Sequence, residues 1–139
     1  MLKAGLAQIA PIWLDKEGTL EKITGMLNEA GKKQCDLVVF GEAVLPGYPF
    51  WVEHTGGASF NSSLQKELFA HYARNAVRIE KGDLDPVCRE ARDHRMAVYL
   101  GTIERPLDRG GHSLYCSLVY IDPEGKIGAV HRKIQPTYD

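Results

Sequence analysis

Glu42 and Lys133 are the side chains best suited to move a proton and to hold a developing negative charge. Each closes a run that reads as a β-strand, and each is followed within a few residues by a proline-containing loop: Pro46-Gly47-Tyr48-Pro49 after Glu42, and Pro136 after Lys133. In α/β sheets, ligands bind at the carboxyl ends of strands. A glutamate beside a lysine stays ionised, because an opposite charge nearby favours the charged form. It can then serve as a general base while the ammonium stabilises negative charge on a reacting atom. The same two residues also suit a structural ion pair or unrelated surface charges, and residue type alone leaves both open.

Other residues join the candidates. Glu104 ends another strand-like run and either lines the same layer as Glu42 or pairs with Arg105 or Arg109. His131 shares strand parity with Lys133, so it points to the same face, as a ligand contact or a structural histidine. Tyr48 and Trp51 can wall a pocket for an apolar substrate group or serve a subunit contact. Cys35, Cys88 and Cys116 are odd in number and lack paired metal spacing, which suits free thiols in a reducing cytoplasm. Each is expected to pack: Cys35 at the end of a helix, Cys88 in the first turn of a short one, and Cys116 on a buried strand face with Leu114 and Leu118. His54, His71, His94 and His112 form no i,i+4 pair, so no metal site is predicted. Gly56-Gly57 and Gly110-Gly111 lack the flanks of a phosphate loop and read as turns.

The elements that must position these groups follow from the pattern. Lys3 to Ala10 reads as a strand stopped by Pro11. Asp15 caps a helix to about Gln34 whose inner face is Leu20, Ile23, Leu27 and Ala30. Asp36 to Glu42, apolar from Leu37 to Phe40, is a strand covered on both faces, which makes the opening a βαβ unit with parallel strands. The aromatic segment through Trp51 must be a loop. Ser62 with Gln65 forms a capping box for a helix with the stripe Leu64, Leu68, Tyr72 and Ala76, ended by Gly82. Asp85-Pro86 starts a short helix to about Asp93. Met96 to Glu104 is a strand with Val98, Leu100, Thr102 and Glu104 on one face. Leu114 to Ile121 and Lys126 to Lys133 form an antiparallel hairpin about Asp122-Pro123-Glu124-Gly125. The fold class is therefore α/β or α+β with a mixed sheet.

Composition narrows the function. A chain of 139 residues is one domain at most, and 44% hydrophobic with 25% charged residues is ordinary for a soluble globular protein. A net charge of -1 gives no reason to expect nucleic acid or anionic lipid as a partner. No apolar run reaches the roughly 20 residues of a membrane span, and the N-terminus is too short for a signal peptide.

Phe40-Gly41-Glu42, Pro46-Gly47-Tyr48-Pro49 and His131-Arg132-Lys133-Ile134-Gln135-Pro136-Thr137 together resemble the carbon–nitrogen hydrolase (nitrilase) superfamily. Ala4-Gly5-Leu6-Ala7-Gln8, Val98 through Arg105 and Gly125-Lys126-Ile127-Gly128 are similar to that family too, in its order and spacing. The Pro-Gly-Tyr-Pro-Phe-Trp loop looks more like the nitrilase branch than the amidase branches. The resemblance implies the N-terminal part of an αββα sandwich, residues 1–139 forming the front of a single hydrolase domain. It implies Glu42 as general base and Lys133 as the cation at a tetrahedral species, with thiolate attack on a nitrile or amide carbon, ammonia release and hydrolysis of a thioester, and no cofactor. Gly41 departs from the family's more usual Pro. The family's nucleophilic Cys lies well beyond the lysine motif, past Asp139, as does a further Glu, and none of the three cysteines here matches it. The expected parent reaction is nitrile hydrolysis to an acid and ammonia by a cytoplasmic homo-oligomer. Alternatives are an aliphatic or acyl amidase on the same scaffold, or a shortened, non-catalytic chain that associates with a complete homologue. The 139 residues alone are expected to be inactive, and poorly soluble or oligomeric, because an unfinished sandwich exposes apolar sheet.

Overall fold

The apolar run Leu37–Phe40 forms a strand, β2, beside Ala4–Ala7 (β1), and the two are parallel with Leu6 opposite Val39. The computed structural model describes residues 1–57 and 59–134. Between the two strands runs α1, Lys16–Lys32, whose N-terminus is held by Asp15: its side chain accepts from the Gly18 N–H at 3.0 Å. Such a cap stabilises a helix by about 1 kcal/mol. The inner face of α1 carries Leu20, Ile23 and Leu27, and the last two are fully buried. Burying each contributes about 1.5–3 kcal/mol relative to exposure.

Ala97–Glu104 (β3) adds to β2 in parallel, and Tyr115–Ile121 (β4) and Ile127–Arg132 (β5) follow antiparallel. The sheet order is β1-β2-β3-β4-β5. The β4–β5 turn forms as its residues demand: the Asp122 carboxylate accepts from the Glu124 and Lys126 N–H groups, and Gly125 supplies φ of 77°. One face of the sheet, with Val38, Phe40, Val98, Leu100, Val119 and Ile121, packs against α1 and against Val87 and Ala91 of α4, Asp85–His94. The opposite face presents Leu6, Tyr99, Gly101, Leu118, Tyr120 and His131, and Leu6 and Leu118 are exposed. The expectation that β2 is covered on both faces therefore fails. Its Val38 and Phe40 are buried while Leu37 and Val39 are only half-buried.

Further boundaries differ from the sequence reading, and β1 itself ends at Ala7 rather than running to Ala10. Trp51–His54 is a single helical turn, α2, within what reads as loop. The helix after Ser62 is α3, Ser63–Asn75, and it stops well before Gly82. The cause is tertiary: Val77 leaves the helix to pair with the end of β3, donating to Ile103 O and accepting from Arg105 N, both at 2.8 Å. Gly82, with φ of 78°, instead closes a short 3-10 turn at Ile79–Lys81. Leu84, not Asp85, occupies the α4 cap, and Asp85 and Pro86 lie in the first turn. Ser62 does accept from Gln65 N, but the Gln65 amide reaches Thr55 rather than closing the box.

Candidate active site

Glu42 leaves the end of β2 in a tight turn that continues through Ala43 at φ of 51°. Leu45 then rejoins the sheet at Thr102, accepting from the Ile103 N–H at 2.8 Å. The turn passes so close over β3 that a Cβ on Gly101 would lie 2.2 Å from Gly41 O and 2.8 Å from Glu42 Cα. Only glycine permits that approach.

Lys133 arrives from the far side of the sheet. Pairing of Ser117 with Arg132 and of Leu118 with His131 sets the register of β5, and the Lys133 N–H then donates to Cys116 O at 2.8 Å. The Lys133 ammonium reaches Glu42 Oε1 at 3.0 Å, across 91 positions of sequence. Cys116 Sγ donates to the same oxygen at 3.3 Å. These residues, with Gly101, Leu118 and His131, line a cavity of about 330 Å³ on the open face.

The bond from Lys133, then the bond from Cys116, hold the Glu42 carboxyl below the ordinary glutamate range against a smaller opposing effect of burial. Glu42 raises the Lys133 ammonium in turn. Burial first, and then the bond to Glu42, push the Cys116 thiol up to about 11. A carboxylate able to accept a proton and an ammonium able to face an oxyanion thus share one cavity.

Other candidates fall elsewhere. Glu104 and Ser117 point to the helix-covered face, away from Glu42. Glu104 is buried, and its partner is Arg132: Nε reaches Oε2 and Nη2 reaches Oε1, both at 2.8 Å, while Ser117 Oγ donates to Oε2 at 2.7 Å. Burial pushes the Glu104 carboxyl up, but the donors from Arg132 and Ser117 outweigh it and hold it low. Arg105 donates instead to the Gly111 and Ala73 carbonyls. The side chain of Arg109 and the Gln135–Thr137 end of the lysine motif lie outside the described residues.

Trp51 is mostly buried, edge-on to Tyr72, in a second small core with Ala43 and Ile103. It lines a separate apolar groove of about 270 Å³ with Phe69, Leu114 and Cys116, and not the cavity of Lys133. The Tyr48 ring lies 5.2 Å from that of Phe50, tilted by 52°, in a third cleft that Glu42 also borders. Cys35 and Cys88 pack against the main core. Cys116 packs against the second core but is half-buried rather than buried, with its thiol on Glu42. Its alternation with Leu118 is readable in the sequence, but which face lacks cover is not. Gly101 was likewise missed, although a glycine inside a β-branched strand signals close backbone approach. Among the described residues, no group of three or more His, Cys, Asp or Glu side chains could hold a metal ion. None of their helices is long and apolar enough to cross a membrane.

The family model for carbon-nitrogen hydrolases matches residues 3–139, and the chain belongs to that family. Among curated relatives it is 39% identical over 134 residues to "Nitrilase 2" of an unknown prokaryotic organism, covering 96% of this chain and 40% of that protein. It is 35% identical to the cyanide hydratase of Neurospora crassa, covering 98% of this chain and 36% of the relative. With the aliphatic nitrilase of Rhodococcus rhodochrous it shares 33% identity, over 98% and 35% of the two chains. The chain thus spans about two-fifths or less of the length of these relatives. Its fold is that of solved superfamily members. A carbon-nitrogen hydrolase from Helicobacter pylori G27 aligns with a TM-score of 0.65 at 20% identity, over 96% of this chain and 40% of that one. The Caenorhabditis elegans NitFhit protein aligns with a TM-score of 0.67 at 18% identity, over 99% and 30%.

Proposed function

We propose that Glu42 and Lys133 are two groups of a thiol-dependent nitrile hydrolase, with the nucleophilic sulfur supplied from outside these 139 residues. In this reading Glu42 takes the proton of the incoming thiol, and the thiolate adds to the nitrile carbon. Water then enters and ammonia leaves, giving a thioester. A second water releases the carboxylic acid and regenerates the thiol. Lys133 stabilises negative charge at the tetrahedral stages and keeps Glu42 ionised. The observation that carries the proposal is the 3.0 Å approach of Lys133 Nζ to Glu42 Oε1 at a cavity on the open face. The relatives named nitrilase and cyanide hydratase support a nitrile over an amide as substrate.

The test combines this chain with a companion polypeptide carrying the region that follows the lysine motif in the nitrilase relatives. Ammonia release is followed on matched nitrile and amide panels. The chain alone is expected to release none, and the pair to act on nitriles; Glu42→Gln and Lys133→Ala are each expected to lower that rate by about 10²–10⁴-fold. Turnover that survives Glu42→Gln, or amide-only activity, would overturn this assignment.

A further inference from the structure

We propose that Cys116 is a positioning residue of this site: its S–H fixes Oε1 of Glu42 beside Lys133 and leaves Oε2 as the oxygen that takes the proton. The inference rests on the reading of Glu42 as the base.

Two donors converge on one carboxylate oxygen, Lys133 Nζ at 3.0 Å and Cys116 Sγ at 3.3 Å. Among the described residues none donates to Oε2. A carboxylate has about four acceptor positions, and a base needs one of them open toward the group it deprotonates. Crowding both donors onto Oε1 meets that need. Cys116 also grips the second partner, because its carbonyl accepts the Lys133 N–H at 2.8 Å. One residue therefore sets both ends of the pair, the side chain holding Glu42 and the main chain holding Lys133. Its own place is fixed from the other side by pairing with Ile103 on β3.

The residue type suits the role. Glu42, Lys133 and Tyr72 are the ionisable groups that act on this thiol, with His131 on the same cavity wall. Burial and the Glu42 charge keep the sulfur protonated near neutrality, so it donates and does not compete as a nucleophile. A thiol also tolerates the apolar groove that Cys116 borders with Trp51 and Leu114.

Alkylation by iodoacetamide, resolved by pH and mapped by peptide mass, tests this on the 139-residue chain, with Cys35 and Cys88 as references in the same digest. At pH 7 Cys116 is expected to react at least about tenfold more slowly than a small-molecule thiol. Glu42→Gln is expected to speed it several-fold without changing Cys35 or Cys88, a selective response that a purely packing role does not produce. If that variant loosens all three thiols, Glu42→Asp, which withdraws the carboxylate by one methylene, must still release Cys116 alone. Rapid alkylation of unmodified Cys116 at pH 7, or no selective response in either variant, refutes the proposal. Because alkylation needs no turnover, its outcome is independent of whether the companion-polypeptide assay succeeds. Within that assay Cys116→Ala is expected to move the acid limb of the rate upward by about half a pH unit, and Cys116→Ser, which still donates, to restore it.

Discussion

Arg132→Met tests whether the buried Glu104–Arg132 pair is what holds β5, and with it Lys133, in register. The Glu104 side chain is 3% exposed and that of Arg132 is 32% exposed. Two of the three hydrogen bonds on the carboxylate come from the guanidinium, which also lies 5.0 Å from the centroid of the Tyr115 ring. Removing Arg132 leaves a buried carboxylate with Ser117 as its one remaining donor among the described residues. Removing one partner of a fully buried pair costs about 3–5 kcal/mol, and the access water has to Arg132 lowers the expectation here to about 2–4 kcal/mol. Glu104→Gln leaves a guanidinium that can turn to solvent, so its cost should be smaller, about 1–2 kcal/mol. Replacing both groups, as Glu104→Leu with Arg132→Met, removes the orphaned charge. That double variant should lie within about 1 kcal/mol of the parent and far from the sum of the single changes. Urea unfolding followed by far-ultraviolet circular dichroism measures all three, together with Glu104→Leu alone, the single change that closes the cycle. A cost below about 1 kcal/mol for Arg132→Met, or strict additivity in the double variant, would refute this account of the pair.

Gly101→Ala places a methyl 2.2 Å from Gly41 O, so the Glu42 turn must lift; we expect a loss of about 1–3 kcal/mol in urea unfolding and about 10²-fold in ammonia release in the companion-polypeptide assay. Acid should unfold the chain through its low-lying carboxyls. Glu42 and Glu104 both have folded values below the ordinary range, so their stabilisation is present above about pH 4.3 and is lost as pH falls through the folded values. The melting temperature should be flat from about pH 7 to 5 and fall below about pH 4, with a shallower fall in Glu104→Gln; an equally steep fall in that variant would exclude Glu104 as a main contributor.

What could be read from the sequence was whatever depends on neighbours along the chain. The Asp15 cap, the Leu20–Ile23–Leu27 face of α1, the parallel βαβ opening and the Asp122–Gly125 turn each follow from short-range rules, and the structure has them. What escaped depends on partners far apart in sequence. The end of α3 is set by Val77 bonding to β3, which no helix signal encodes. The partner of Glu104 was sought locally at Arg105 and Arg109, yet the register of β3, β4 and β5 brings Arg132 to it. Cys116 was placed on the correct strand parity, with Leu118, but the hydrophobic pattern does not tell which side of a five-stranded sheet goes uncovered.

The two acid–base pairs of this sheet differ in what they need from their surroundings. Glu104 and Arg132 meet on the packed side, where burial and three hydrogen bonds make the contact stiff in the chain as it stands. Glu42 and Lys133 meet on the open side, with side chains 56% and 42% exposed. An exposed pair contributes little to stability, and water screens the ammonium from any oxyanion beside it. At the same separation, an effective dielectric nearer 20 than 80 strengthens the attraction about fourfold. Leu118 and Ile134, both exposed along this cavity, supply the apolar rim that would exclude water once the face is covered. The placement of Glu42 against Lys133 is therefore set by the sheet itself, through Gly101, Cys116 and the Arg132 anchor. Their electrostatic strength depends on what packs over them, and a proposal that gives Lys133 a catalytic charge to stabilise requires that cover as much as it requires the sulfur.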